Sequence, residues 1–371
     1  MHEERTAKRL HGFDSSIYQD IFKKQLSVKN PIDLSVGLPS GETPDYIKDA
    51  GIRAIQENKT SYAPANGIPE LRQALAGKFA RDNNISVTKD EVTVMPGLAT
   101  GLLSVYLAVL NPGDEVMIMD PGFSPYFYLP IVTGAVVKRV SVLPNFQLDL
   151  AAIDQTITAK TKLILINTPN NPTGAVYPRE DLEKLAEIAS RHGTLIISDE
   201  IYESFVFKGE HFSIGSIYKD TITMNGFSKS HTMTGWRVGY TCGPRDVIDA
   251  INQIQQYTVF SASSIAQYAA IEALAHPTPK HEEYAAKNQL IIDKMSAAGY
   301  TIHGSAGAYY TLFEVPEGMD DMQFVQKALE QRVLLLPGRA FSEKENFVRI
   351  SYGGTIEDVE KGLDIITKIT P

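Results

Sequence analysis

The sequence predicts an α/β protein in which a mostly parallel sheet lies between layers of helices, with a smaller α+β part towards the end of the chain. Two observations lead to this fold class. Short apolar runs alternate with helical patterns through the middle of the chain, and each run is followed by a polar or Gly/Pro turn. Strands that are apolar throughout are buried on both faces, which is typical of parallel sheets covered by helices.

The first predicted elements are a helix, a strand and a second helix. Pro69 favours a helix start, and the apolar residues that follow it recur at helical spacing. Residues 91–95 predict a strand, and residues 97–110 predict the second helix. Further apolar runs predict buried strands at 116–119, 163–166, 195–197 and 222–224, with a helix over 181–192.

The pattern changes after about residue 275, where a helix-rich stretch precedes three predicted strands and a final helix. These strands cover residues 309–315, 333–336 and 347–351. We therefore predict a large domain over residues 46–275. Residues 1–45 and 276–371 are expected to form a small domain with an N-terminal arm.

Composition excludes several classes of function. The chain has 371 residues and a formal net charge of -9, without a run of basic residues, which argues against binding to nucleic acid or to acidic membranes. No apolar run reaches the roughly 18 residues of a membrane span, and the charged N-terminus does not resemble a signal peptide. The eight histidines are scattered without ligand spacing, so no metal site is predicted. We expect a cytoplasmic protein.

Candidate site residues follow the predicted strands, where ligands of parallel sheets bind. Lys229 comes just after the run at 222–224, and Arg237 lies eight residues later. A lysine amine in an apolar pocket can form a Schiff base with an aldehyde such as pyridoxal 5'-phosphate. Arg237 and Ser228 would then face the phosphate. The same charges also fit a solvated loop, and the motif alone does not decide.

Two other strands end in polar residues that suit the same cofactor. Asp199 ends a buried strand and needs a cation, which a pyridinium nitrogen would supply, although a structural ion pair is the alternative. Tyr202 can direct its phenol at the ring oxygen of the cofactor, or it is a core tyrosine. Asn171, in a proline-rich turn, can reach the same oxygen and a substrate carboxylate.

The remaining candidates concern anions and stacking. The helix that opens at Leu98 and Ala99 offers free backbone N–H groups to a phosphate. Phe123 is placed to stack on an aromatic cofactor, or to fill the core. Arg349 lies in the middle of an apolar strand, which calls for a substrate α-carboxylate or for a structural salt bridge.

Taken together, these residues resemble the class I/II aminotransferases of pyridoxal-phosphate fold type I, the aspartate aminotransferase-like group, from about residue 34 to residue 354. The motifs that carry the resemblance are Ser228-Lys229 with Gly235-x-Arg237-x-Gly239, Asn171-Pro172-Thr173-Gly174, Asp199-x-x-Tyr202, Ser61-Tyr62 with Gly67-x-x-x-Leu71-Arg72, and Gly37-Leu38-Pro39.

The resemblance implies a homodimer with active sites at the interface, where Tyr62 reaches the phosphate of the neighbouring subunit and Gly37 contacts substrate. It implies that Lys229 holds the cofactor as an internal aldimine and then moves a proton, with Asp199 and Tyr202 as the other catalytic residues. Asn171 and Arg349 would bind the substrate. The implied reaction moves an amino group from an L-amino acid to a 2-oxo acid such as 2-oxoglutarate.

Two points depart from the family pattern or stay open. Gly226 stands where the family usually has a serine, so Ser228, Thr100 or backbone groups would have to replace a phosphate contact. A β-lyase or a related synthase on the same fold remains an alternative, as does a non-catalytic ligand-sensing protein. Aspartate, aromatic and neutral donors all remain open, and Tyr18, Tyr126, Tyr309 and Tyr310 hint at an aromatic-rich entrance.

Overall fold

The computed structural model describes residues 7–12, 23, 28–279, 282–303, 305–344 and 346–370, so Tyr18 lies outside the described residues. The helices are α1 Asp45–Gln56, α2 Pro69–Asp82, α3 Leu98–Val109, α4 Ser124–Tyr128, α5 Leu150–Thr156, α6 Arg179–His192, α7 Phe227–Ser230, α8 Arg245–Thr258, α9 Ser264–Ala275, α10 Glu282–Ala297, α11 Asp321–Glu330 and α12 Ile356–Ile366. The strands are β1 Ile32–Asp33, β2 Val92–Met95, β3 Glu115–Asp120, β4 Val136–Ser141, β5 Thr161–Asn167, β6 Leu195–Asp199, β7 Thr221–Gly226, β8 Gly239–Cys242, β9 Ile302–His303, β10 Tyr310–Glu314, β11 Val333–Leu334, β12 Leu336–Pro337 and β13 Phe347–Ser351.

A seven-stranded sheet forms the centre of the molecule in the order β2-β8-β7-β6-β5-β3-β4. Its pairs are parallel except at β8, which runs antiparallel to both of its neighbours. The apolar runs of the sequence are the inner strands, whose residues are almost all buried. Helices cover both faces, which confirms the predicted α/β class.

The helix that begins at Pro69 shows why the local sequence folds this way. Proline takes the first helical turn of α2, where its missing N–H costs no hydrogen bond. Leu71, Leu75 and Phe79 then follow on one face and are fully buried in an apolar cluster that includes Val94 of the central sheet. Helical spacing therefore becomes a packed layer on the sheet.

A second sheet lies in the last part of the chain, in the order β12-β13-β10-β9, with antiparallel pairing throughout. The prediction of a single strand at 333–336 is wrong in one respect. The structure has two short strands there, which are separated by Leu335. β11 pairs with β1 in a separate two-stranded sheet, whereas β12 pairs with β13. The chain therefore changes sheets at this residue.

Strand β4, at the edge of the large sheet, was not predicted. Its residues are mostly half-buried or exposed and include Lys138 and Arg139, so it lacks the continuous apolar run of the inner strands. Among the described residues, no helix combines the length and the apolar character needed to cross a membrane.

Candidate active site

A cavity of about 370 Å³ opens at the carboxyl ends of the parallel strands. The residues that follow β3, β5, β6 and β7 meet there, as the geometry of parallel sheets requires. The cavity lining contains every predicted site residue except Tyr62, namely Gly37, Leu98, Ala99, Phe123, Asn171, Asp199, Tyr202, Ser228, Lys229, Arg237 and Arg349.

Lys229 extends its amine into this cavity from the short helix α7, which follows β7 directly. Its Nζ donates a hydrogen bond of 2.7 Å to the carbonyl oxygen of Gly37, and it lies 6.0 Å from the centre of the Tyr202 ring. The Gly37 carbonyl also accepts a hydrogen bond from the Tyr309 hydroxyl at 3.1 Å. The Lys229 amine is thus held between the turn at Gly37 and the end of β7.

Asp199 is a buried carboxylate at the end of β6. The hydroxyl of Tyr126 donates to its Oδ2 at 2.7 Å, and the backbone N–H of Ile201 donates to its Oδ1 at 3.1 Å. Burial raises the pKa of this carboxyl from 3.8 to about 6. Within the described parts of the chain, no basic group lies within ion-pair distance of it. The site therefore has room and charge for a bound cation.

Arg349 is fixed at the floor of the cavity by two hydrogen bonds and two aromatic rings. Its Nη1 donates to Asn171 Oδ1 at 3.0 Å, and its Nη2 donates to the carbonyl oxygen of Ser35. The guanidinium lies 4.5 Å from the ring centre of Tyr310 and 4.6 Å from that of Phe341. Its buried Nε has no acceptor among the described residues. The guanidinium therefore keeps one unused hydrogen-bond donor.

The guanidinium of Arg237 lies close to the start of α3. Gly97, with φ of +83°, precedes the helix, and the first N–H groups of a helix have no partner within it. A Cβ at Gly97 would lie 2.4 Å from Nη2 of Arg237, so only glycine lets the guanidinium approach this closely. Arg237 is itself oriented by a 2.9 Å hydrogen bond from its Nη1 to the carbonyl oxygen of Thr234.

The structure supplies a steric reason for Gly226. A Cβ at this position would lie 2.9 Å from Cδ1 of Leu98, and a Cβ at Gly239 would lie 2.6 Å from the same atom. The Leu98 side chain therefore fills the space between two glycines, and it would have to shift to make room for a serine. Of the side chains considered as replacements for the lost contact, Ser228 lines the cavity, whereas Thr100 is not among the lining residues.

We predict that Gly226→Ser lowers the free energy of unfolding of the cofactor-free protein by about 1–3 kcal/mol, because the new side chain overlaps Leu98. In a Leu98→Ala background the same substitution should cost clearly less, which a double-mutant cycle in urea would measure. Gly235→Ser is the control, since nothing lies within 4 Å of a Cβ there. An equal cost of Gly226→Ser in both backgrounds would contradict the steric explanation.

Sequence reasoning missed two hydroxyl groups of the site. Tyr126 was considered only for the entrance, yet its hydroxyl is the hydrogen-bond donor to Asp199. Tyr310 lines the cavity. Its hydroxyl oxygen lies 2.9 Å from the hydroxyl oxygen of Tyr202, and its ring stacks on the guanidinium of Arg349. The predicted strand at 309–315 does not single out Tyr310, because it also contains Tyr309, Thr311 and Glu314.

Tyr62 lies away from the cavity. It is 88% exposed, and its ring is 4.9 Å from that of Phe260, which is 43% exposed. Tyr257, near Phe260 in the chain, is 85% exposed. Large aromatic side chains exposed side by side are typical of a surface that binds another protein.

Comparisons with known proteins show which family the chain belongs to. The family model "Aminotransferase class I and II" matches residues 29–366. The aspartate/prephenate aminotransferase of Thermus thermophilus is 39% identical over 91% of this chain and 90% of its own length. A structure of Thermus thermophilus aspartate aminotransferase with maleate superposes with a TM-score of 0.92 at 36% identity, over 98% of this chain and 99% of that one.

A second solved structure is named for aromatic substrates and not for aspartate. The aromatic aminotransferase of Pyrococcus horikoshii superposes with a TM-score of 0.87 at 32% identity, and the match covers 94% of this chain and 98% of that chain. Identity is well above the level at which only the fold is shared, and the match extends over nearly the whole length. The chain is therefore a member of the class I and II aminotransferase family.

Proposed function

We propose that this aminotransferase uses pyridoxal 5'-phosphate to move the amino group of an L-amino acid to a 2-oxo acid. The observation that carries the proposal is the presence in one cavity of a lysine amine, a buried carboxylate and an arginine, where among the described residues the carboxylate has no ion-pair partner and the arginine Nε has no acceptor. When bound, the cofactor would supply an aldehyde for the substrate amine and a ring that takes up electrons from the substrate Cα.

Each part of the cofactor has a counterpart in the cavity. Lys229 would hold the aldehyde carbon. Asp199 would keep the ring nitrogen protonated, and the protonated nitrogen would be the cation that the buried carboxylate lacks. Tyr202 and Asn171 would bind the ring oxygen, and Phe123 would lie against the ring. The backbone N–H groups of Leu98 and Ala99, the Ser228 hydroxyl and Arg237 would hold the phosphate.

The substrate would be held by the floor of the cavity. Arg349 and Asn171 would bind the α-carboxylate, and the Gly37 turn would lie over it. Once the substrate amine has taken the place of Lys229, the freed Nζ would accept the proton from the substrate Cα and deliver it to the former aldehyde carbon of the cofactor, on the other side of the nitrogen. Among the described residues, Nζ makes one hydrogen bond, to the Gly37 carbonyl oxygen, and no ion pair holds it away from the substrate.

We also propose a cytoplasmic homodimer with two domains per subunit. The exposed pair Tyr62 and Phe260 supports the expectation that this surface meets a second copy, in which Tyr62 would approach the phosphate. The pairing of β1 with β11 supports grouping residues 1–45 with 276–371 in a small domain, with residues 46–275 as the large, cofactor-binding domain.

The test is a half-reaction with the cofactor-loaded protein and a panel of L-amino acids. We expect the cofactor absorbance to change to that of the amine form, a 2-oxo acid to appear, and a second 2-oxo acid to reverse the change. Aspartate with 2-oxoglutarate is a pair to include, since several relatives are named for aspartate. Release of ammonia and pyruvate instead would indicate a lyase and contradict the proposal.

A further inference from the structure

We infer that the side chain of the substrate lies in an apolar subsite, so that the preferred donors carry uncharged aliphatic or aromatic side chains rather than a second carboxylate. The inference rests on the proposed transamination and narrows its substrate class. Similarity alone does not decide the question, because both aspartate and aromatic aminotransferases match the chain over nearly its whole length.

The cations of the cavity are the first step. Among the described residues that line it, the basic side chains are Lys229, Arg237 and Arg349. Arg237 lies at the start of α3, and Arg349 is fixed where an α-carboxylate would bind. Lys229 has to react with the cofactor. Within one subunit, none of the three is left to pair with a carboxylate at the end of a substrate side chain, and a buried carboxylate without such a partner is costly.

The apolar surroundings of Arg349 are the second step. Leu336 faces Arg349 in the antiparallel register of β12 and β13, so both side chains leave the sheet on the same side. Leu336 is buried and lines the cavity. Whatever is held by Arg349 therefore lies beside a leucine.

The turn that precedes Leu38 adds two more apolar side chains. Val36 and Leu38 flank Gly37 in the cavity lining, and the Ser351 hydroxyl fixes the turn through a 2.8 Å hydrogen bond to the Val36 carbonyl oxygen. Leu38 is 52% exposed at the rim. A substrate with an apolar side chain would cover this leucine and gain free energy by removing both surfaces from water.

The two half-reactions use one site, so the same subsite has to take the side chain of the 2-oxo acid acceptor. We therefore expect an acceptor with an apolar side chain to react better than 2-oxoglutarate.

The experiment compares kcat/KM of the half-reaction for leucine, methionine and phenylalanine with that for aspartate and glutamate. We expect kcat/KM to be about 100-fold or more higher for the three apolar amino acids than for the two acidic ones. Binding pockets discriminate between side chains by about 10- to 200-fold or more. In parallel, calorimetry on the loaded protein should show tighter binding of 3-phenylpropionate or 4-methylvalerate than of maleate.

Preference for aspartate or glutamate would overturn the inference while leaving transamination intact. Absence of any half-reaction would overturn the proposed function, and the order of affinities would still test the subsite.

A variant makes the test specific to Leu38. Leu38→Lys places a cation at the exposed rim, and we expect it to shift the ratio of kcat/KM towards aspartate by about 10-fold or more. Leu143→Lys is the matched control, since Leu143 is 40% exposed and is not among the cavity-lining residues. It should leave the ratio unchanged. If Leu38→Lys also left the ratio unchanged, the substrate side chain would lie elsewhere and the assignment would be wrong.

Discussion

Lys229→Ala should lower the rate of the half-reaction by about 10⁴-fold or more with every amino acid, because the variant loses both the group that holds the cofactor and the group that moves the proton. Borohydride treatment of the loaded wild-type protein, followed by peptide mass mapping, should place the cofactor on Lys229. The variant should show no such label, although its cavity still offers Arg237 and Asp199 to a non-covalently bound cofactor.

Lys184→Ala is a suitable control, since this lysine is on α6, is 60% exposed and is not among the residues that line the cavity. It should keep both the label and the rate. A Lys229→Ala protein that still formed the covalent adduct and turned over at a similar rate would show that another amine carries the reaction.

Asp199→Asn should reduce the half-reaction by about 10²- to 10³-fold, the usual cost of losing one electrostatic contact to charge that develops in a reaction. Asparagine fits the space and can still accept the Ile201 N–H, but it cannot stabilise a protonated ring nitrogen. A single-turnover measurement separates this effect from product release. A rate close to that of the wild type would contradict the assigned role of Asp199.

The same substitution should have the opposite effect on the stability of the cofactor-free protein at neutral pH. Burial raises the pKa of Asp199 from 3.8 to about 6 in the folded state. The folded state therefore loses stability relative to the unfolded state as pH rises from about 4 to about 6, and the loss is complete above that range. At 1.36 kcal/mol per pKa unit, the cost at pH 7.5 is about 3 kcal/mol.

Urea unfolding at two pH values checks this expectation. Asp199→Asn should be more stable than the wild type by up to about 3 kcal/mol at pH 7.5, and by nearly nothing near pH 4, where the carboxyl is already protonated. Adding cofactor should stabilise the wild type more than the variant. A gain of the same size at both pH values would indicate that packing, and not ionisation, is responsible.

Much of the fold could be predicted because buried parallel strands carry their apolar residues in continuous runs. The placement of the site followed from the same pattern, since parallel strands end at one edge and bring Asn171, Asp199 and Lys229 together. The edge strand β4 could not be predicted this way, because its exposed face removes the apolar run. The change of sheets at Leu335 depends on which strands lie beside it in space, which a local pattern does not contain.

The hydroxyl contacts of the site were beyond prediction for a related reason. Tyr126 and Asp199 are 73 residues apart, and Tyr202 and Tyr310 are 108 apart. Each tyrosine taken singly has the pattern of a core residue, and its partner is fixed only once the chain has folded. Alternation and spacing thus locate the cavity, whereas the orientation of groups inside it depends on tertiary contacts.

The contact of Leu98 with Gly226 and Gly239 constrains the order in which this chain can change. A lineage that acquired a serine at position 226 while leucine remained at 98 would pass through a destabilised intermediate. Shortening residue 98 first would open the space and make the later serine tolerable. The two positions are more than a hundred residues apart in the chain, yet the cost of a serine at 226 depends on the side chain at 98, so one of the two routes is less costly than the other.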